Sequence, residues 1–235
     1  MTDWARLERS LTDDLGLTRR PVAVAFLDSE PANIPKFDGS QPSSCGFWRV
    51  AAEGATFYTT PEAHYNCAIG SYTHNIPLPV DRANELEGML ALMFGLEYVR
   101  PEEVPTIPRL STTPRAIVYS PLGATPVDPD VVLFACRPAS AMLLNEATMR
   151  AGAAAGAPLL GRPSCMALPA ALTGGTTISL GCVGNRVYTG LQDDELYVVV
   201  PGKSLASIAA STAVITEANT KLQAYAQSRR AELSR

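Results

Sequence analysis

Apolar residues recur at helical spacing through Trp4, Leu7, Leu11 and Leu15, which predicts an amphipathic helix over 3–16. The pattern then tightens. PVAVAFL (21–27) is short, apolar and bounded by proline, the signature of a buried strand, and 28–44 is a loop rich in Pro, Asp, Gly and Ser. FYTT (57–60) is a strand that runs into Thr60-Pro61-Glu62, a cap residue, a proline at the first helical position and an acid. A helix is expected from Pro61 to about Gly70, and another over 82–97, followed by a proline-rich connection as far as Pro114. RAIVYSPL (115–122) and DVVLFAC (130–136) are strands, ASAMLLNEATMRAG (139–152) is a helix, and PSCMALPAALTGG (163–175) is a helix ended by glycine. TTISLGC (176–182), NRVYTGL (185–191) and ELYVVVP (195–201) read as a meander of three strands, and the last thirty residues as one long helix.

Strands alternating with helices and then a meander give an α/β fold: a mixed sheet with flanking helices, within a single domain over 1–235. The C-terminal helix, about 204–232, carries Leu205, Ile208 and Ile215 in its first half, which packs on the sheet. Its second half, with Arg229, Arg230 and Arg235, is expected to project or to meet a second subunit as a homodimer. One internal echo stands out. Cys45, an apolar segment ending at Gly54, a strand and Cys67 are matched by Cys165, an apolar segment ending at Gly174-Gly175, a strand and Cys182.

Composition narrows the classes. Hydrophobic residues at 46% and charged residues at 18% exclude a disordered chain, and a net charge of −4 argues against a nucleic-acid partner. The acidic, amphipathic start resembles neither a signal nor a transit peptide, and no apolar run is long enough to span a bilayer, so a cytoplasmic protein without membrane contact is expected. Thiols stay reduced there, so the five cysteines are expected to be buried, ligating or reactive rather than disulfide-bonded.

The usual nucleotide and hydrolase motifs are missing. Pro201-Gly202-Lys203-Ser204 follows a strand, but Tyr197 occupies the position where a phosphate loop needs its first glycine, leaving Gly202 as a turn and Ser204 as a helix cap. No two cysteines form C-x-x-C, so any shared site must be assembled by the fold. Cys182 ends a strand beside glycines, Cys45 and Cys165 follow Pro/Ser loops at helix starts, and Cys67 lies three residues after His64 on the expected helix. Cys136, inside VVLFAC, reads as a buried structural residue. His64, His74 and Asn75 crowd one polar, aromatic segment suited to a pocket wall, while Arg49 and Arg186 sit near cysteines and could bind an anionic ligand.

The segments CGFWRVA (45–51), FYTTPEAHYNCAIGSYTHN (57–75), GRPSCMALP (161–169) and LGCVGNRVYTGL (180–191) together resemble the domain of unknown function 169 family. That resemblance implies a soluble prokaryotic protein with cysteines in its motifs, and supplies no reaction. Four thiolates from Cys45, Cys67, Cys165 and Cys182 would suit a 4Fe–4S cluster better than structural zinc, which favours local ligand pairs. The reading is therefore an iron–sulfur protein with a small-ligand pocket beside the cluster, either redox-active with a redox partner or a cluster-dependent enzyme. The alternatives are a metal-free small-molecule binding module and a thiol enzyme using one activated cysteine.

Overall fold

The computed structural model describes residues 2–153 and 157–234; Arg235, counted above in the charge of the tail, lies outside them. Seven strands form one mixed sheet: β1 (Val22–Leu27), β2 (Phe57–Thr59), β3 (Ala116–Pro121), β4 (Val131–Cys136), β5 (Leu159–Leu160), β6 (Thr177–Ser179) and β7 (Leu196–Pro201). They lie in the order β2-β3-β1-β4-β7-β6-β5, antiparallel except for the β5–β6 pair.

Both faces of the sheet are covered, which is why its central strands are apolar throughout rather than alternating. Val131 and Leu133 point to one face, Val132 and Phe134 to the other. The second face is sealed by three helices, α1 (Trp4–Leu15), α5 (Pro138–Arg150) and α8 (Leu205–Leu233), which pack on one another through Leu11, Leu144 and Ile208. Cys136 is buried on this face. The first face carries shorter pieces: α2 (Gly46–Ala52), α3 (Ala68–Thr73), α6 (Ala167–Gly174) and α7 (Val183–Thr189), with α4 (Ala83–Gly95) packed on α3.

The cysteine echo has a structural counterpart. Phe57, Tyr58 and Thr59 of β2 face Tyr119, Val118 and Ile117 of β3, while Thr177, Ile178 and Ser179 of β6 face Val199, Val198 and Tyr197 of β7 in the same register. Val22 pairs with Pro121, and its counterpart Val131 pairs with Pro201. The two triplets of strands meet where β1 and β4 pair antiparallel about Ala23 and Val132. This is the arrangement of a pseudo-twofold axis normal to the sheet. It matches α2 with α6, α3 with α7, Cys45 with Cys165 and Cys67 with Cys182. Even the helix ends correspond: Asn75 after α3 and Gly190 after α7 both have positive φ, at 55° and 66°.

Two local expectations are corrected. Residues 183–189 form α7, not a strand, so β6 and β7 pair across an intervening helix. The β-branched residues of NRVYTGL mislead because Cys182 caps the start of a helix there and Gly190, in the left-handed conformation, ends it. The helix expected from Pro61 is two pieces, a 3-10 turn over Pro61–His64 and then α3 from Ala68. His64 and Cys67 therefore do not share a helix face.

Candidate functional site

Each cysteine of the repeated motif lies at the start of a short helix. Cys45 caps α2, Cys67 caps α3, Cys182 caps α7, and Cys165 sits in the 3-10 turn Ser164–Met166 that leads into α6. Because the halves are related about the centre of the sheet, these four starts converge. All four cysteines line one cavity of about 520 Å³. Its remaining wall is mainly apolar: Ile69, Met166 and Leu160 from the two halves, with Met89, Leu90 and Met93 of α4 and Val104 and Ile107 beyond it as a roof. None of the residues of α4 is buried.

Convergence on one cavity is not a ligand set. Among the described residues, no three His, Cys, Asp or Glu side chains are grouped to hold a metal ion, which overturns the iron–sulfur reading of Cys45, Cys67, Cys165 and Cys182. Burial opposes ionisation of the two deeper thiols: it pushes Cys45 up to about 11, although the Ser43 hydroxyl at 3.1 Å favours the thiolate, and raises Cys165 well above the usual thiol value. On the opposite face burial likewise raises Cys136, to about 12.

Cys67 and Cys165 sit around one peptide unit. The Cys67 sulfur accepts the Gly70 N–H at 3.2 Å, and the Cys165 sulfur lies 4.0 Å from the Ile69 carbonyl oxygen. Gly70 is needed for this packing, since a Cβ there would stand 2.1 Å from the Ser44 hydroxyl oxygen and 2.9 Å from the Cys67 sulfur.

The two histidines are enclosed behind the cavity. His64 Nε2 lies 2.9 Å from Thr59 Oγ1 and its Nδ1 3.0 Å from Ser44 Oγ, so the ring ties β2 to the loop before α2. Thr59 also donates to the Ile117 carbonyl. That assignment makes His64 Nε2 the donor to Thr59 and its Nδ1 the acceptor from Ser44. His74 Nδ1 donates to the Gly70 carbonyl oxygen at 2.7 Å, and its Nε2 is buried without a partner. Burial lowers both rings, His74 to about 4 and His64 well below the usual value, so both are neutral at pH 7.

The family model for domain of unknown function 169, described as uncharacterised ArCR, matches residues 10–211. The chain belongs to this family. No curated protein and no solved structure matches it. Among the described residues, no helix is long and apolar enough to cross a membrane.

In this DUF169 chain the other residues expected to bind a ligand stand apart from the cavity lining. Arg49 is half-exposed on α2, 3.8 Å from Glu53. Arg186 spends its guanidinium on the carbonyls of Leu180, Gln192 and Glu195, fixing the turn between α7 and β7. Asn75 accepts from Arg109 at 2.8 Å and holds the 109–113 segment. The polar groups that do reach the cavity are others. Arg162 covers the Tyr98 ring at 4.5 Å, donates to the Tyr98 carbonyl and pairs with Glu103 at 3.4 Å, which latches the roof to the second half. Asn185 on α7 is buried beside the Cys45 thiol and the Tyr197 hydroxyl, yet its amide makes no hydrogen bond of normal geometry. Arg162 could have been suspected from its place beside Cys165; no pattern in the chain points to Asn185 or to the roof.

Proposed function

We propose that the protein binds a small, predominantly apolar molecule in the cysteine-lined cavity, using protein side chains alone. One observation carries this reading: both halves of the repeat turn their helix starts toward a single cavity of about 520 Å³, within the range of small-molecule sites, with a mainly apolar wall. The repeat brings two equivalent pairs of thiols to that wall, and the two buried ones, Cys45 and Cys165, are held protonated and act there as small, polarisable apolar groups. Arg162 and Glu103 neutralise each other at the rim, which suits an uncharged guest better than an anion.

A neutral apolar dye, Nile red, should therefore bind the full-length protein saturably, at one site per chain. Met93→Trp places an indole into the cavity from a helix with no buried residue, so it should weaken the dye by about tenfold or more while leaving the melting temperature nearly unchanged. Unsaturable dye binding, or equal affinity in the Met93→Trp protein, would overturn the reading.

A further inference from the structure

The pseudo-twofold axis does more than place four thiols on one wall. It packs the second cysteine helix of each half against the first cysteine segment of the other: α3 touches the Ser164–Met166 turn, and α7 touches α2. Cys67 and Cys165, one from each half, thereby share the Ile69–Gly70 peptide unit: the Cys67 sulfur accepts its N–H at 3.2 Å and the Cys165 sulfur lies 4.0 Å from its carbonyl oxygen. Cys67 is only half-buried, whereas Cys165 is enclosed behind it. Both line the same cavity.

We propose that Cys67 and Cys165 are a dithiol pair that closes to a disulfide when a small, uncharged disulfide enters the cavity. The inference rests on reading that cavity as a ligand site. Accessibility assigns the order of events. Cys67 meets the guest first; its thiolate attacks one sulfur of the incoming S–S bond, which breaks, and the first small thiol leaves as it takes up a proton. Cys165 then gives up its proton and attacks the Cys67 sulfur, and the second small thiol leaves with that proton. Two protein thiols are oxidised, and one small disulfide is reduced to two thiols. Burial keeps Cys165 protonated until that second step, and of the other three cavity thiols Cys67 bears most strongly on its ionisation. The apolar wall gives the preference for an uncharged reagent, since a charged one would lose its hydration on entering.

The test uses full-length protein and limiting 2,2′-dithiodipyridine, a neutral disulfide, with release of thiopyridone followed by absorbance. Each reagent molecule should release both of its thiopyridones, and peptide mapping should find Cys67 joined to Cys165. In Cys165→Ser the reaction should stop after the first release, with the remaining thiopyridyl group on Cys67. Dianionic 5,5′-dithiobis(2-nitrobenzoate) should react more slowly with the native protein than the neutral reagent does. A crosslink between any other pair, a second release of undiminished rate in Cys165→Ser, or faster reaction with the dianion would overturn the proposal. Nile red carries no disulfide, so its binding to the Cys67→Ser/Cys165→Ser protein reports separately on whether the cavity takes an apolar guest.

Discussion

The two faces of the sheet are built on opposite plans. One is sealed by α1, α5 and α8, helices of twelve residues or more, whose apolar stripes interlock over Val132, Phe134 and Val200. The other is assembled from helices of six to eight residues whose starts turn inward, with buried histidines, serines and thiols between them and a cavity beneath α4. Every helix leaves polar groups at its two ends, but in a long helix they are a small fraction beside a whole apolar face, whereas in a short one the ends are most of the helix and each must find a partner. The first face stabilises the fold. The second spends its backbone and side-chain polarity on shaping a space.

Mutations should separate the two plans, and the largest effect belongs to the sealed face. Leu144 of α5 is fully buried between α8 and the sheet. Leu144→Ala should cost about 2–5 kcal/mol, read as a drop in the urea midpoint with an unchanged slope. Met93→Ala on the roof should cost less than about 1 kcal/mol, because α4 buries none of its residues. Similar losses at both positions would mean that the roof is part of the core.

A second test concerns protons. The folded protein holds His74 down near 4, while the unfolded chain titrates near 6.5, so the unfolded state binds the extra proton between these values. Stability is therefore at its full value above about pH 7 and falls as the pH drops from 6.5 toward 4, by about 3 kcal/mol for His74, with His64 acting in the same direction. In urea titrations, His74→Asn should flatten that decline while keeping a side-chain donor for the Gly70 carbonyl. A decline as steep as in the native protein would remove His74 as its source.

The same contrast decides what could be read from the chain. The sealed face was legible: the helical spacing of Trp4, Leu7, Leu11 and Leu15, the helix expected over 139–152, the unbroken apolar runs of β1, β3 and β4 and the long helix expected at the end all stand in the fold with bounds close to those expected. The other face defeated periodicity. Six or seven residues make too few turns to set a period, so α7 looked like a strand and the segment from Pro61 like one helix. The echo of cysteine, apolar segment, strand and cysteine did mark the repeat, and the settings of Cys45, Cys67, Cys165 and Cys182 at turns and helix starts did point to a shared place, since all four line one cavity. What spacing could not supply was how the side chains are grouped: among the described residues no three ligating side chains gather to hold a metal ion, which leaves a thiol-lined cavity. The histidine segment was polar for a different reason from the one expected: its rings satisfy buried partners behind the cavity.

The smallest effect is expected where the last helix leaves the sealed face. α8 buries Leu205, Ile208, Ala209 and Thr212 and is exposed from Lys221 onward, where Leu222, Tyr225 and Leu233 face solvent and the ion pairs link neighbours on the same helix. Such pairs contribute only a few tenths of a kcal/mol each, so ending the chain after Thr220 should change unfolding stability by less than about 1 kcal/mol. The midpoint should also be the same in dilute and concentrated protein. A loss of several kcal/mol that grows with the concentration of the full-length protein would show that Leu222, Tyr225 and Leu233 are covered by a second copy, and would extend the sealed face beyond the single chain.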